Sequence, residues 1–215
     1  MTKPKHLYPA PLGRDPDDVL QAGVGFSHSR ATIEDDVKAT RTASPTQFEI
    51  WRTGLGSARA PGLLYECWTQ RKISVRTLRT HLGSIWHVSD IPDYWLDHDQ
   101  WRELFHAAGY TRVRYGALAS PGLITYERGE KADPPTGPIT VYRGAITERR
   151  DDWSWTASPA VAARWASGHL YNRPPGHVWT TTAPPDHVLC RIDRWDQYVI
   201  DTHGLTITEH KETPS

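Results

Sequence analysis

Cysteine is almost missing from this 215-residue chain, which has two, Cys67 and Cys190. Two thiols exclude a disulfide framework, and their spacing matches no metal-ligand motif. They read as reduced thiols of a cytoplasmic protein. Long apolar runs are also missing. No stretch approaches the roughly 20 residues that span a bilayer, so no membrane partner is expected. Met1–His6 is not followed by the apolar core of a secretory signal. Neither charge is in excess, because 25 basic residues balance 25 acidic ones. That removes any global field for nucleic acid or membrane and leaves only local patches. Phenylalanine occurs three times and methionine once, whereas tryptophan occurs ten times. Most of these indoles are expected to fill a core, with one or two available to stack on a planar ligand. Hydrophobic content of 38% and charged content of 23% fit one sizeable globular domain, or one with a helical extension.

The first forty residues are polar and weakly periodic, with Asp15 and Pro16 a short helix start. Ser44, Pro45 and Gln47 give a cap, a first-turn proline and a capping-box partner. Phe48, Ile50 and Trp51 follow, and Gly54 and Gly56 end the helix. A second helix is expected over Pro61 to Gln70. A third covers Ser74 to Trp86, with Val75, Leu78, Leu82, Ile85 and Trp86 on one stripe. The clearest helix runs from Asp97 to Ala108, where Trp101, Leu104, Phe105 and Ala108 repeat at three- and four-residue steps and Gly109 stops it.

After Tyr110 the composition turns β-prone. Strands are expected at Thr111–Tyr115, Ile139–Arg143, Trp153–Thr156, His177–Thr182, Val188–Ile192, Tyr198–Asp201 and Leu205–Thr208. Residues 128–138 read as a loop. One helix interrupts the strands, capped by Ser158 and opened by Pro159, with Ala162, Trp165 and Ala166 inward. The expected fold is α+β: a helical region over 1–110, then a β-rich core over 111–215 with a split antiparallel sheet, the two forming one compact unit.

Chemistry concentrates in two short stretches. Val141, Tyr142, Arg143 and Gly144 place one arginine at the end of a strand, and a guanidinium fork suits phosphate oxygens. Gly144 leaves room for a close approach to the backbone. Ten residues on, Ser154 and Thr156 project from one face of a strand, while Trp153 and Trp155 take the other. The helix from Ser158 follows at once, with Trp165 in the core or near a cleft.

This order of strand-end arginine, Ser-x-Thr strand and joining helix resembles the arginine–serine–glutamate class of ADP-ribosyltransferases, a branch shared by bacterial toxins and by proteins of phages and their hosts. The resemblance covers roughly Ile139 to Leu205 and implies that the β-rich region over 111–215 is an ADP-ribosyltransferase-like core. It implies NAD as substrate, transfer of ADP-ribose to a protein or nucleic-acid acceptor, and release of nicotinamide. Arg143 would bind the cofactor phosphates, Ser154 and Thr156 the nicotinamide ribose, and Tyr142, Gly144 and Trp165 the pocket wall. The family's catalytic glutamate falls where this chain has Gln197, with Asp196 beside it. A glutamine holds a hydroxyl but brings no negative charge to an oxocarbenium-like transition state. Two alternatives therefore stand beside the transferase: an NAD-binding pseudoenzyme, and a phage-type interaction module without cofactor.

Other features have plainer readings. His81, His87, His98 and His106 share a helical region but no ligand spacing. Gly54-Leu-Gly56 lacks the rest of a phosphate loop. Arg71, Lys72, Arg76 and Arg79 form a small basic run, a solvated face or a docking patch. Asp201 reads as a strand-end turn residue.

Overall fold

A computed structural model describes residues 30–89, 95–116, 126–168 and 174–211. The helix start expected at Asp15 and Pro16 lies outside them. The helical half comprises α1 (Arg30–Ala39), α2 (Pro45–Leu55), α3 (Ala60–Thr69), α4 (Val75–Val88) and α5 (His98–Ala108). Local chemistry sets most of their starts. The Ser44 and Ser74 hydroxyls accept from the backbone N–H of Gln47 and Thr77, and Asp97 and Gln100 form a reciprocal capping box. Inside α4, Leu78, Leu82, Ile85 and Trp86 are buried as the stripe requires, but Val75 is exposed, and Thr77 takes the buried place in the first turn instead. Helix α1 was not expected. It buries only Ile33 and Val37, and Asp36 ties it to α2 by accepting from Gln47 Nε2 at 2.7 Å and Trp51 Nε1 at 2.6 Å.

The remaining elements are β1 (Thr111–Gly116), β2 (Tyr126–Lys131), β3 (Ile139–Ala145), β4 (Ser154–Thr156), α6 (Pro159–Ala166), β5 (His177–Ala183), β6 (Val188–Ile192), β7 (Gln197–Ile200) and β8 (Thr208–Glu209). They form one eight-stranded sheet in the order β2-β1-β6-β7-β4-β3-β5-β8. The fold is α+β, as expected, but the sheet is mixed rather than antiparallel. β1 runs parallel to β6, pairing Thr111 with Cys190 and Val113 with Ile192. Parallel neighbours need a long crossover, and the whole stretch from β2 to β5 supplies it. Between β3 and β4 the ladder narrows to one pair, Tyr142 with Thr156.

Strand β2 replaces the start of the expected loop. Its sequence hides it because the inward position is Gly129, where an added Cβ would stand 2.0 Å from the Arg79 carbonyl oxygen. Helix α4 crosses β2 at that point, so a glycine stands where a strand usually shows an apolar residue.

The apolar interior divides into two clusters. The larger joins the helices to the sheet through Val113, Trp153, Leu189, Cys190, Ile192 and Val199. The smaller gathers Val141, Trp155, Trp179, Ala183, Val188, Tyr198 and Ile200 on the opposite sheet face. Helical region and β-rich region thus share a core. No described helix is long and apolar enough to cross a membrane.

Candidate functional site

Strands β3, β4 and β7 carry the residues singled out above, and their register lines several of them up. Tyr142 pairs with Thr156, and Thr156 pairs with Gln197. Alternation then puts Ser154, Thr156 and Gln197 on one sheet face, toward α4. Ser154 Oγ accepts from Trp86 Nε1 at 3.2 Å, and Gln197 Oε1 accepts from His87 Nδ1 at 2.8 Å. Gln197 is 7% exposed, so its amide is desolvated and needs that partner. Neither Trp86 nor His87 carries a sequence signal for this role. Both lie in the last turn of α4, and only the docking of α4 on the sheet brings them here.

Arg143 stands on the other face, opposite Trp179 in register and beside Val141. Its guanidinium enters the fork where β3 and β4 part. Nε donates to the Arg149 carbonyl at 2.8 Å, Nη1 to the Ser154 carbonyl at 2.6 Å and Nη2 to Asp152 Oδ2 at 2.7 Å. Arg149 Nε donates to the same Asp152 oxygen at 2.6 Å. Arg143 therefore touches Ser154 through the backbone, not through the hydroxyl, and it splices β3 to β4 where the ladder stops.

Thr156 is fully buried and its hydroxyl is committed. It donates to the Trp195 carbonyl at 2.8 Å and accepts from the Ser158 N–H at 3.1 Å. The space above Gly144 is occupied by α6, since an added Cβ would lie 2.0 Å from the Ala162 carbonyl oxygen and 2.8 Å from the Trp165 Cβ. That glycine admits a helix. Tyr142 is half-buried, with its ring edge-on to His210 at 5.0 Å.

The turn before β7 is strained. Trp195 and Asp196 have φ of 61° and 47°, a region that costs a side-chain-bearing residue about 1–2 kcal/mol. The Thr156 bond, a 3.0 Å bond from Ala157 N–H to the Asp196 carbonyl and a 3.0 Å bond from Arg191 Nη2 to Asp196 Oδ1 hold it. The turn carries the half-buried Trp195 ring to 6.1 Å from that of Trp165 on α6. Such strain clusters at functional sites.

A cavity of about 630 Å³ opens at the far end of β7, between the start of α5 and the loop after Ile200. Arg102 donates to Asp201 from Nε at 2.6 Å and from Nη2 at 3.1 Å across its wall. Burial alone would raise the Asp201 pKa, but these bonds, the His203 N–H and the Arg102 charge outweigh it and hold it below its ordinary value. Asp201 is thus an ion-pair anchor, not only a turn residue. The cavity wall carries Asp99, Asp151 and Asp201 against Arg102 and Arg150, a balance that disfavours a phosphate-bearing ligand. None of Arg143, Ser154, Thr156 or Gln197 lines it, so the β3–β4–β7 row remains the candidate site.

The four histidines go to separate places. His81 serves Pro45 and Glu49, His87 serves Gln197, His98 stacks on Trp153 at 4.8 Å and His106 is exposed. Among the described residues no group of His, Cys, Asp and Glu could hold a metal ion. Cys67 and Cys190 are free, and burial pushes each thiol up to about 12. No protein-family model matches the sequence, and no curated protein and no solved structure matches the chain.

Proposed function

We propose that this chain is an NAD-dependent ADP-ribosyltransferase of the arginine–serine–glutamate type in which glutamine stands at the glutamate position. The observation that carries the reading is the row Tyr142, Thr156 and Gln197 across three adjacent strands, with Ser154 on the same face and Arg143 bonded to the Ser154 backbone. A hydroxyl and an amide on one face of neighbouring strands suit the hydroxyls of a ribose.

In this reading Ser154 and Gln197 orient the nicotinamide ribose, and Arg143, from the opposite sheet face, fixes the strand fork that carries Ser154. His87 fixes the Gln197 amide by donating to Oε1. Asp196 is the nearby carboxylate, 43% exposed and paired with Arg191. One feature favours the second reading, NAD binding without turnover: the residue beside the reacting sugar is neutral. Losing one such electrostatic contribution lowers a rate by roughly a hundred- to a thousand-fold.

The test is thermal stability with and without NAD for the wild type and Ser154→Ala, with nicotinamide release followed in parallel for the wild type and Gln197→Glu. The expected result is stabilisation by NAD that Ser154→Ala weakens, and release that Gln197→Glu raises by about a hundred-fold. Stabilisation without release in either protein leaves the pseudoenzyme. Neither stabilisation nor release refutes NAD use.

A further inference from the structure

The cavity beside Asp201 takes no part in the row across β3, β4 and β7, and its wall divides into three kinds of surface. The first is apolar. Trp153, from the larger core cluster, shares the wall with Leu205 and Ile207, which pack on the smaller one. His98 stacks on the Trp153 ring at 4.8 Å and the Arg102 guanidinium lies 5.4 Å from its centre, so that ring is covered. Leu205 and Ile207 are only half-buried and form an open apolar strip. The second surface is charge that is already neutralised. Arg102 gives two bonds to Asp201 and one, at 2.5 Å, to Asp99. Two carboxylates around one guanidinium leave no positive charge there for a ligand anion.

The third surface is Arg150 and Asp151, on the loop between β3 and β4. Among the described residues neither the Arg150 guanidinium nor the Asp151 carboxylate has a hydrogen-bond or ion-pair partner. The Arg150 guanidinium lies 5.8 Å from the centre of the Trp179 ring. At Asp151 it is the carbonyl, not the carboxylate, that accepts from the Thr202 hydroxyl. The loop itself is fixed. Asp152 accepts from Arg143 and Arg149 through Oδ2 and from Trp155 Nε1 through its carbonyl, and Thr202 is buried. One free cation and one free anion thus stand on a rigid backbone beside an apolar strip, an arrangement that lowers the ordering cost of binding. A phosphate would take Arg150 but meet Asp99, Asp151 and Asp201. A simple amine would take Asp151 and leave Arg150 covered without a partner. A zwitterion satisfies both: its carboxylate accepts from the arginine fork, its ammonium donates to Asp151, and its side chain covers Leu205 and Ile207. A volume of about 630 Å³ lies in the usual range of small-ligand sites.

We infer that this cavity binds a zwitterion of the amino-acid type, with one ammonium, one carboxylate and an apolar side chain, carried by a free amino acid or a short peptide. The site stands apart from the NAD reading, and its test contains no NAD.

The test is ligand-observed NMR titration of the full chain with phenylalanine, the dipeptide leucyl-phenylalanine, N-acetyl-phenylalanine, phenylalanine amide and inorganic phosphate. Phenylalanine or the dipeptide should bind with a Kd below about 1 mM. Blocking the ammonium or the carboxylate should weaken binding about ten-fold, and so should Asp151→Asn or Arg150→Gln. In Arg150→Gln the tighter zwitterion and its carboxyl amide should bind alike, because the carboxylate has lost its partner. Glu148→Gln, exposed nearby but off the cavity wall, should bind like the wild type. Arg150 and Asp151 are exposed and the Asp151 carbonyl is kept, so folding is not at risk, and circular dichroism verifies it for each variant. Tighter binding by phenylalanine assigns a free amino acid, and tighter binding by the dipeptide assigns a peptide. Four results would overturn the inference: no binding by either zwitterion up to about 10 mM, blocked forms binding as tightly as their parents, unchanged binding in both wall variants, or phosphate binding more tightly than either zwitterion.

Discussion

Replacing Arg143 by methionine keeps much of the side chain's bulk and removes its three described hydrogen bonds. The Arg149 and Ser154 carbonyls each lose a charged donor, and Asp152 loses one of two cations. The pair is mostly shielded, with side-chain exposures of 12% for Arg143 and 20% for Asp152. Removing one partner of a buried ion pair costs about 3–5 kcal/mol. Asp152 keeps Arg149 at 2.6 Å, which places the loss at the lower end, about 3 kcal/mol. For a chain of this size that is roughly 6–12 °C in Tm. The assay is urea unfolding by circular dichroism, where the midpoint should fall with the slope unchanged. Arg143→Lys keeps the charge but not the fork and should fall between the two. A loss under about 1 kcal/mol for Arg143→Met would refute the splice between β3 and β4. It would leave Arg143 available for a ligand role alone.

Two further perturbations test the strained turn and the acid limb. At Asp196, with φ 47°, valine should cost about 1–2 kcal/mol. Glycine should stay within about 0.5 kcal/mol, because relief of strain offsets the added chain entropy. Equal stability of the two variants would remove the left-handed turn from the account. At Glu49, burial alone would raise the pKa, but bonds from His81 and Arg52 and their charges bring it to about 2, against an ordinary 4.5. A depressed carboxylate stabilises fully above its unfolded pKa and loses that contribution as pH falls through its folded one. The stability gap between wild type and Glu49→Gln should therefore close between about pH 4.5 and pH 2. A gap that is constant across this window would contradict the pairing.

The helix starts were legible because they are decided within three residues. Ser44, Ser74, Asp97 and Ser158 each cap the third residue on, and a side chain that bonds the neighbouring backbone needs no tertiary partner. The shared face of Ser154 and Thr156 was legible for the same reason, since strand alternation is a property of the backbone. Helix α1 and strand β2 were not. Their apolar content is low, and what holds them comes from elsewhere: Trp51 reaching Asp36, and α4 pressing on Gly129.

The sequence by itself thus determined the α+β class, the starts of most helices and the identity of the residues in the row across β3, β4 and β7. Tertiary structure alone decided what those residues touch. Gln197 meets His87 across 110 positions of sequence and Ser154 meets Trp86 across 68. Arg143 turns into the strand fork, Gly144 admits a helix, and β1 lies parallel to β6 because a long crossover allows it. Caps, alternation and periodicity act over a few residues and leave a local trace. Contacts between distant segments depend on how whole layers dock, and docking is set by the summed packing of both apolar clusters, which no single stretch of sequence contains.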